Sequence, residues 1–133
     1  MEPYKHKVQY YETDKMQITH HSNYIRFMEE ARVDFLEQIG WGYDKMEKDG
    51  IISPVLSVSC DYKKTTTYPD VITVEIKVLE LKRIKFKVGY TMTVDKEVVC
   101  IGTSTHCFLD SEGNPVSFEK QYPKLYHSLS EYN

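Results

Sequence analysis

One segment of the chain has strong helical periodicity. Its apolar residues recur at the i, i+3, i+4, i+7 and i+11 spacing of a single helix face. These residues are Tyr24, Phe27, Met28, Ala31 and Phe35. Ser22 or Asn23 suits the N-cap and Gly40 suits the position after the C-cap. The pattern therefore predicts one amphipathic helix of about 17 residues.

Strand-like alternation occupies most of the rest of the chain. Residues 4–11 alternate loosely and predict a first strand, and a polar loop follows over 12–22. After the helix the period changes to two. The predicted strands cover residues 53–62, 71–81, 84–94 and 97–109. Because the loops between these half-buried strands are short, as at Asp95-Lys96, they indicate an antiparallel meander.

The order of elements is one strand, one long helix and then four strands. A single helix with an apolar stripe cannot bury that stripe alone, whereas a curved antiparallel sheet with one apolar face can wrap around it. The sequence therefore predicts an α+β fold with one central helix. The length of 133 residues suits one domain and is short for two, so we expect a single domain over residues 1–133.

Composition excludes several classes of function. The 17 Lys and Arg against 20 Asp and Glu give a net charge of −3, unlike the basic surface of a nucleic-acid binder. No run approaches the ~18 apolar residues of a membrane span, and residues 1–7 lack the apolar stretch of a signal peptide. The odd number of cysteines indicates free thiols rather than a disulfide framework. We therefore expect a cytoplasmic protein without nucleic-acid partners.

Candidate chemistry is concentrated in residues 10–24, between the first strand and the helix. This segment holds a loop carboxylate, Asp14, the pair His20-His21, and a helix N-terminus. Free N–H groups at a helix N-terminus carry positive potential, which suits an anion or a developing oxyanion. A carboxylate beside them supplies a base or a nucleophile that faces an electrophile stabiliser.

Each of these residues also has an ordinary structural explanation. An aspartate after a strand is usually a turn residue. Adjacent histidines such as His20 and His21 splay apart, and no third ligand is spaced nearby, so we predict no metal and no cofactor. The pairs Lys63-Lys64 and Lys82-Arg83 would usually be solvated loop ends. The residues alone therefore leave the function open.

The combination of motifs is more specific than any single residue. Tyr-x-Glu-Thr-Asp at 10–14, His-His-Ser-Asn-Tyr at 20–24 and Glu-Glu-Ala-Arg at 29–32 strongly resemble the hotdog-fold acyl-CoA thioesterases of the 4-hydroxybenzoyl-CoA thioesterase type, in their bacterial YbgC-like branch. The resemblance continues through Gly102-x-x-x-x-His106 and covers nearly the whole chain. It implies a curved antiparallel sheet wrapped around one long helix, in agreement with the periodicity.

The resemblance implies catalytic roles for Asp14, His21 and Tyr10. Asp14 matches the catalytic carboxylate, which either attacks the thioester carbonyl or activates a water molecule. The backbone N–H of His21 matches the donor that polarises that carbonyl. The side chains of His21 and Tyr10 match positions that orient water or substrate.

The resemblance also implies substrate-binding residues. Arg83 falls where some members hold the nucleotide phosphates of coenzyme A, and Lys64 and Tyr24 are further candidates. Gln17 occupies a position that is usually Gly. Because Gly permits a positive φ that other residues disfavour, we expect the loop around Gln17 to be shaped differently here.

The function implied is hydrolysis of an acyl-CoA to a free acid and coenzyme A. The family assembles as dimers, commonly paired into tetramers, with sites between subunits, so we expect a homo-oligomer. Two alternatives stay open. An acyl carrier protein as thioester donor would require a basic docking surface near the pocket mouth. A non-catalytic module would bind the acyl thioester without turnover.

Overall fold

The computed structural model describes residues 1–133, and its centre is a helix held in a curved five-stranded antiparallel sheet. The strands are β1 Tyr4–Lys7, β2 Val55–Tyr62, β3 Val71–Leu81, β4 Lys85–Val94 and β5 Glu97–Cys107. The helices are α1 Asn23–Gln38, α2 Tyr43–Lys48, α3 Phe118–Gln121 and α4 Pro123–Ser130, and a 3-10 helix covers Tyr10–Glu12. None of the helices combines the length and the apolarity needed to span a bilayer.

The core lies between α1 and the concave face of the sheet, as the periodicity predicts. All five apolar residues predicted for the inner face of the helix are buried, and Phe27 is fully inaccessible. Alternate residues of the central strands cover them from the other side. These are Ile72, Val74, Val78, Phe86, Val88, Tyr90 and Met92. A fully buried side chain of this kind stabilises the fold by roughly 1.5–3 kcal/mol.

The order of strands in the sheet is β1-β3-β4-β5-β2. The expected meander therefore holds for β3, β4 and β5 only, and its extension to β2 is wrong, because β2 pairs with β5. The connection over 63–70 is long enough to cross the ~14 Å of three strand spacings between β2 and β3. It passes the N-terminal end of α1, where Thr66 is hydrogen-bonded to Tyr24.

The edge strand β2 is far more exposed than its alternation suggests. The predicted half-buried face is wrong for Leu56 and Val58, which are 48% and 42% exposed. Cys60 and Tyr62 do reach the helix: Cys60 Sγ lies 3.5 Å from Sδ of Met28, and the Tyr62 ring lies 5.2 Å from that of Tyr24. Because α1 contacts only the later part of β2, the apolar residues of its first part remain on the surface.

The predicted first strand is too long. The strand ends at Lys7, because the carboxylate of Glu12 accepts the Gln9 N–H at 2.7 Å and closes a turn of 3-10 helix. The last strand likewise ends at Cys107, two residues before the predicted end at 109. Gly40 follows the helix at φ +84, as expected for a residue after the C-cap.

The expected side-chain cap by Ser22 is absent. Ser22 already has helical φ and ψ and makes no capping bond. Its Oγ lies 2.9 Å from Nδ1 of His20 instead. The first backbone N–H groups of α1 therefore receive no hydrogen-bond acceptor from the side chain of the N-cap residue.

Candidate functional site

The Asp14 loop is a tight turn between two short paired segments. Gln17 N–H donates to the Asp14 carbonyl at 2.9 Å, and Asp14 N–H donates to the Ile18 carbonyl at 2.9 Å. Gln17 has φ +65, the left-handed conformation that such a turn requires and that Gly adopts without strain. The backbone of Gln17 thus has a conformation that Gly would adopt without strain, and the expected difference in loop shape stays a prediction.

The carboxylate of Asp14 serves the turn with one oxygen only. Its Oδ1 accepts the Met16 N–H at 2.8 Å, the Asx-turn geometry expected of an ordinary turn aspartate. Its Oδ2 has no hydrogen-bond partner within the chain. The side chain is half-buried and lines a cavity. The carboxylate therefore has a lone pair available to a ligand while the turn holds it in place.

The N-terminus of α1 has a free donor on a residue that lines the same cavity. Asn23 N–H donates to the His20 carbonyl at 3.0 Å, and Ser22 N–H donates to His20 Nδ1 at 3.2 Å. The N–H of His21 has no acceptor within the chain. It lies at the positive end of the helix dipole, where an oxyanion or an anion is stabilised.

A cavity of about 250 Å³ brings these groups together. Its lining combines the site loop, the start of α1 and the end of β2. The lining residues are Asp14, Met16, Ile18, Thr19, His21, Tyr24, Tyr62, Lys63, Lys64 and Thr65. Tyr10 lies outside this cavity, in an adjoining one of about 280 Å³ that also contains Asp14 and Gln17. Asp14 thus stands between His21 on one side and Tyr10 on the other.

Tyr24 forms a wall of the cavity rather than a free polar group. Its hydroxyl lies 2.8 Å from Thr66 Oγ1, which lies 2.6 Å from Thr19 Oγ1. Burial raises the pKa of Tyr24. Tyr62, which the sequence does not single out for chemistry, donates its hydroxyl to the His21 carbonyl at 3.1 Å. Neither Thr66 nor Tyr62 carries a local signal, because the 63–70 crossover brings Thr66 to the helix and the end of β2 brings Tyr62 there.

The two predicted phosphate-binding cations have different positions. Lys64 lines the cavity, and its Nζ forms an exposed ion pair with Glu97 at 2.8 Å. Arg83 lies just after the end of β3. The loop that borders Asp14, which contains Thr67 and Tyr68, lies just before the start of β3. The intervening strand has 11 residues, or roughly 35 Å. A single chain therefore does not bring Arg83 to Asp14.

His106, the last residue of the resembling motifs, lies in the core. Its Nε2 is 2.6 Å from Ser104 Oγ, which is 2.7 Å from the Tyr90 hydroxyl, which in turn accepts from Arg32 at 3.0 Å. Burial, reinforced by the Arg32 cation, lowers the pKa of His106 to about 3. No group of three or more His, Cys, Asp or Glu side chains is arranged to hold a metal.

Comparison with known proteins identifies the family. The family model described as the thioesterase-like superfamily matches residues 8–125. The chain belongs to this superfamily. It is 34% identical over 119 residues to a Bacillus subtilis protein provisionally named acyl-CoA thioesterase YneP, covering 88% of this chain and 86% of the relative.

Solved structures agree with this assignment. The DHNA-CoA thioesterase of Staphylococcus aureus superposes with a TM-score of 0.91 at 30% identity, covering 98% of this chain and 89% of that one. A hypothetical protein of Aquifex aeolicus gives 0.88 at 37% identity, covering 93% and 98%. The predicted hotdog fold is therefore confirmed, and so is the prediction of an enzyme of the thioester-hydrolase class.

Proposed function

We propose that the chain hydrolyses an acyl-CoA thioester to a free acid and coenzyme A, with Asp14 and the His21 amide as the reacting centre. One observation carries this proposal: the free Oδ2 of Asp14 and the free N–H of His21 belong to residues of the same cavity wall. A carboxylate and a positively polarised donor facing one space are what acyl transfer to water requires.

The thioester carbonyl oxygen would accept a hydrogen bond from the His21 N–H. In one route Asp14 takes a proton from water, the hydroxide attacks the carbonyl carbon, and the tetrahedral intermediate expels the thiolate of coenzyme A. In the other, the carboxylate attacks, the thiolate leaves, and water hydrolyses the mixed anhydride. In both routes the negative charge passes through the carbonyl oxygen, where a preorganised donor is worth roughly 3–4 kcal/mol.

The remaining predicted residues have supporting roles in this proposal. His21 and Tyr10, whose side chains are exposed on either side of Asp14, would orient water or substrate. Tyr24 would form the wall against which the acyl group packs, and Lys64 would meet a phosphate at the cavity mouth. Aromatic neighbours support such packing, since the rings of Tyr24 and Tyr62 lie edge to face at 5.2 Å.

A second cavity of similar size is a poorer candidate for this substrate. It measures about 290 Å³ and lies between the N-terminal residues, α1 and β3. Its lining holds the carboxylates of Glu2, Asp34 and Glu75 and no Lys or Arg side chain. The phosphates of coenzyme A would be repelled there, whereas the cavity at Asp14 holds Lys63 and Lys64.

We propose further that the enzyme is a cytoplasmic homodimer or homotetramer. The open edge of β2, with exposed Val55, Leu56 and Val58, supports association, because such an edge is otherwise a liability. The three free thiols suit a reducing compartment. Light scattering should give a mass of at least twice 15.7 kDa, and the single-chain mass at working concentration would contradict this.

An assembly would also allow Arg83 from another copy of the chain to reach the nucleotide. Arg83→Glu should then raise KM for an acyl-CoA much more than for the matching acyl-pantetheine, since only the former carries the nucleotide phosphates. Lys82→Glu is the matched control in the same turn. Equal effects on both substrates would make Arg83 a solvated surface residue.

A thiol-release assay over a panel of acyl-CoAs tests the proposed reaction. Aromatic and aliphatic acyl groups of increasing length should be included, together with the same acyl groups on an acyl carrier protein. We expect turnover of at least one acyl-CoA. Preference for the carrier protein would favour the alternative thioester donor, and binding without thiol release would favour the non-catalytic module.

A further inference from the structure

Glu12 forms hydrogen bonds through both its side-chain carboxylate and its backbone carbonyl, and it lies next to the segments that build the site. Its side chain is buried, with 7% of its surface exposed. Its Oε1 accepts the Gln9 N–H at 2.7 Å and lies 2.8 Å from Nε2 of His6. Its carbonyl accepts the His20 N–H at 2.8 Å and the Asn23 side-chain amide at 3.0 Å. One residue thus joins the segment before Asp14 to the start of α1.

The partner of the Glu12 carboxylate is itself firmly placed. The ring of His6, with 11% of its side chain exposed, packs against Phe27 with the ring centroids 4.2 Å apart. Its Nδ1 lies 3.2 Å from Oε2 of Glu30, which also accepts the Tyr4 hydroxyl at 3.2 Å. Burial, and next the negative charge of the nearby Glu30, raises the pKa of Tyr4 to about 12. β1 and α1 thereby both support the His6 ring against Glu12.

These contacts link the two chain segments that carry the proposed reacting groups. Asp14 is two positions after Glu12, and His21 is one position after His20, whose N–H the Glu12 carbonyl accepts. The Asp14 turn and the helix N-terminus are therefore tied through a single peptide. Displacement by about 1 Å of a reacting group can cost on the order of 100-fold in rate.

We propose that Glu12 is a positioning residue for the reaction, with His6 and Asn23 as its two anchors. The part-buried His6–Glu12 contact holds the Glu12 peptide, and the Glu12 carbonyl holds His20 and Asn23, so that His21 and Asp14 stay at one cavity. Glu12 itself does not line the cavity that contains Asp14 and His21. The inference rests on the proposed function, because it concerns the geometry of that same site.

Three variants test it under saturating acyl-CoA, with thermal unfolding recorded in parallel. Glu12→Gln keeps the shape of the side chain and removes its charge, and Asn23→Ala removes the side-chain bond to the Glu12 carbonyl. We expect kcat to fall about 10-fold in the first and about 5-fold in the second, with KM within 2-fold of wild type. Glu29→Gln changes an exposed carboxylate of α1 that lies outside this network, and it should leave kcat within 2-fold.

A positioning role and a merely structural role differ in whether kcat or only the melting temperature changes. Glu12→Gln with wild-type kcat and a lower melting temperature would make the residue merely structural and overturn the inference. So would Asn23→Ala with full kcat, or a loss in Glu29→Gln equal to that in Glu12→Gln. If Glu12→Gln does not fold, Asn23→Ala alone decides. A wild-type enzyme that releases no thiol would refute the proposed function instead.

Discussion

Two polar clusters of this molecule each contain a histidine from the motifs, and they differ in what surrounds it. At the start of α1, His21 is exposed beside a cavity, its N–H is free, and its ring stacks on His20 at 4.3 Å. On β5, His106 is fully buried, stacks on Phe86 at 5.0 Å, and ends a chain of hydrogen bonds from Arg32. The first cluster can meet a substrate and the second cannot.

The difference shows that motif membership alone does not indicate chemistry. A buried polar chain links the central helix to the sheet, and its cost in desolvation is offset only while its hydrogen bonds are kept. An open cluster leaves hydrogen-bonding capacity unused in the chain, and that capacity is available to a ligand. We therefore expect substitutions at the helix N-terminus to change rate, and substitutions on β5 to change stability.

The largest effect should come from Asp14→Asn, which should lower kcat by at least ~100-fold with fold and ligand affinity retained. An Asn oxygen can still accept the Met16 N–H, so the turn should persist. Asp70→Asn is a matched control, because Asp70 also accepts a backbone N–H, that of Thr67, at 2.9 Å. The kcat of both variants should be measured by steady-state kinetics. An Asp14→Asn activity within a few-fold of wild type would contradict the assignment of Asp14 as base or nucleophile.

His21→Ala separates the backbone of His21 from its ring and should have the next largest effect. The N–H remains at the helix N-terminus, so we expect a loss of about 10–100-fold, smaller than that of Asp14→Asn. Profiles of kcat between pH 5 and 9 should be measured for both variants. A loss as large as that of Asp14→Asn in a folded protein would make the imidazole the principal base.

The buried cluster should respond to pH through stability rather than rate. The pKa of His106 is about 3 in the folded chain and ~6.5 when unfolded, so between these values the unfolded chain binds one more proton. The stabilisation is complete above ~6.5 and is lost as the pH falls towards 3, at up to about 1.4 kcal/mol per pH unit. Denaturant unfolding at pH 7, 6, 5 and 4 should show this dependence.

A variant isolates the contribution of His106 from that of the carboxylates. His106→Gln keeps a partner for Ser104 and has no titrating ring. Its free energy of unfolding should therefore fall less steeply as the pH is lowered, because up to one proton fewer is bound on unfolding. Identical slopes in the two proteins would show that His106 does not supply this dependence. We expect kcat of the folded variant to stay within 2-fold of wild type.

The smallest effect concerns the left-handed residue of the site loop. Gln17→Gly removes the strain of a positive φ, roughly 1 kcal/mol, and adds some unfolded-state entropy, so the free energy of unfolding should rise by about 0.5 kcal/mol. Lys15→Gly in the same loop gains no such relief and should destabilise. If Gln17→Gly also destabilises, the φ of Gln17 is not a source of strain.

Local patterns were sufficient for the parts of the protein that depend on neighbours in sequence. The periodicity of 3.6 located α1, and the alternation of two located β3, β4 and β5, because each follows from the geometry of its own backbone. The candidate site was predictable for a similar reason. Asp14 and His21 are close in sequence, and the turn and helix start between them bring both to one cavity.

Contacts between distant segments were decided by the tertiary structure. The placement of β2 beside β5 follows from the 63–70 crossover, which also carries Thr66 to Tyr24. The separation of Arg83 from Asp14 follows from the direction of β3. Alternation along a strand specifies which side chains share a face, but it does not specify which strand lies beside it. That choice depends on how all the apolar faces are buried together.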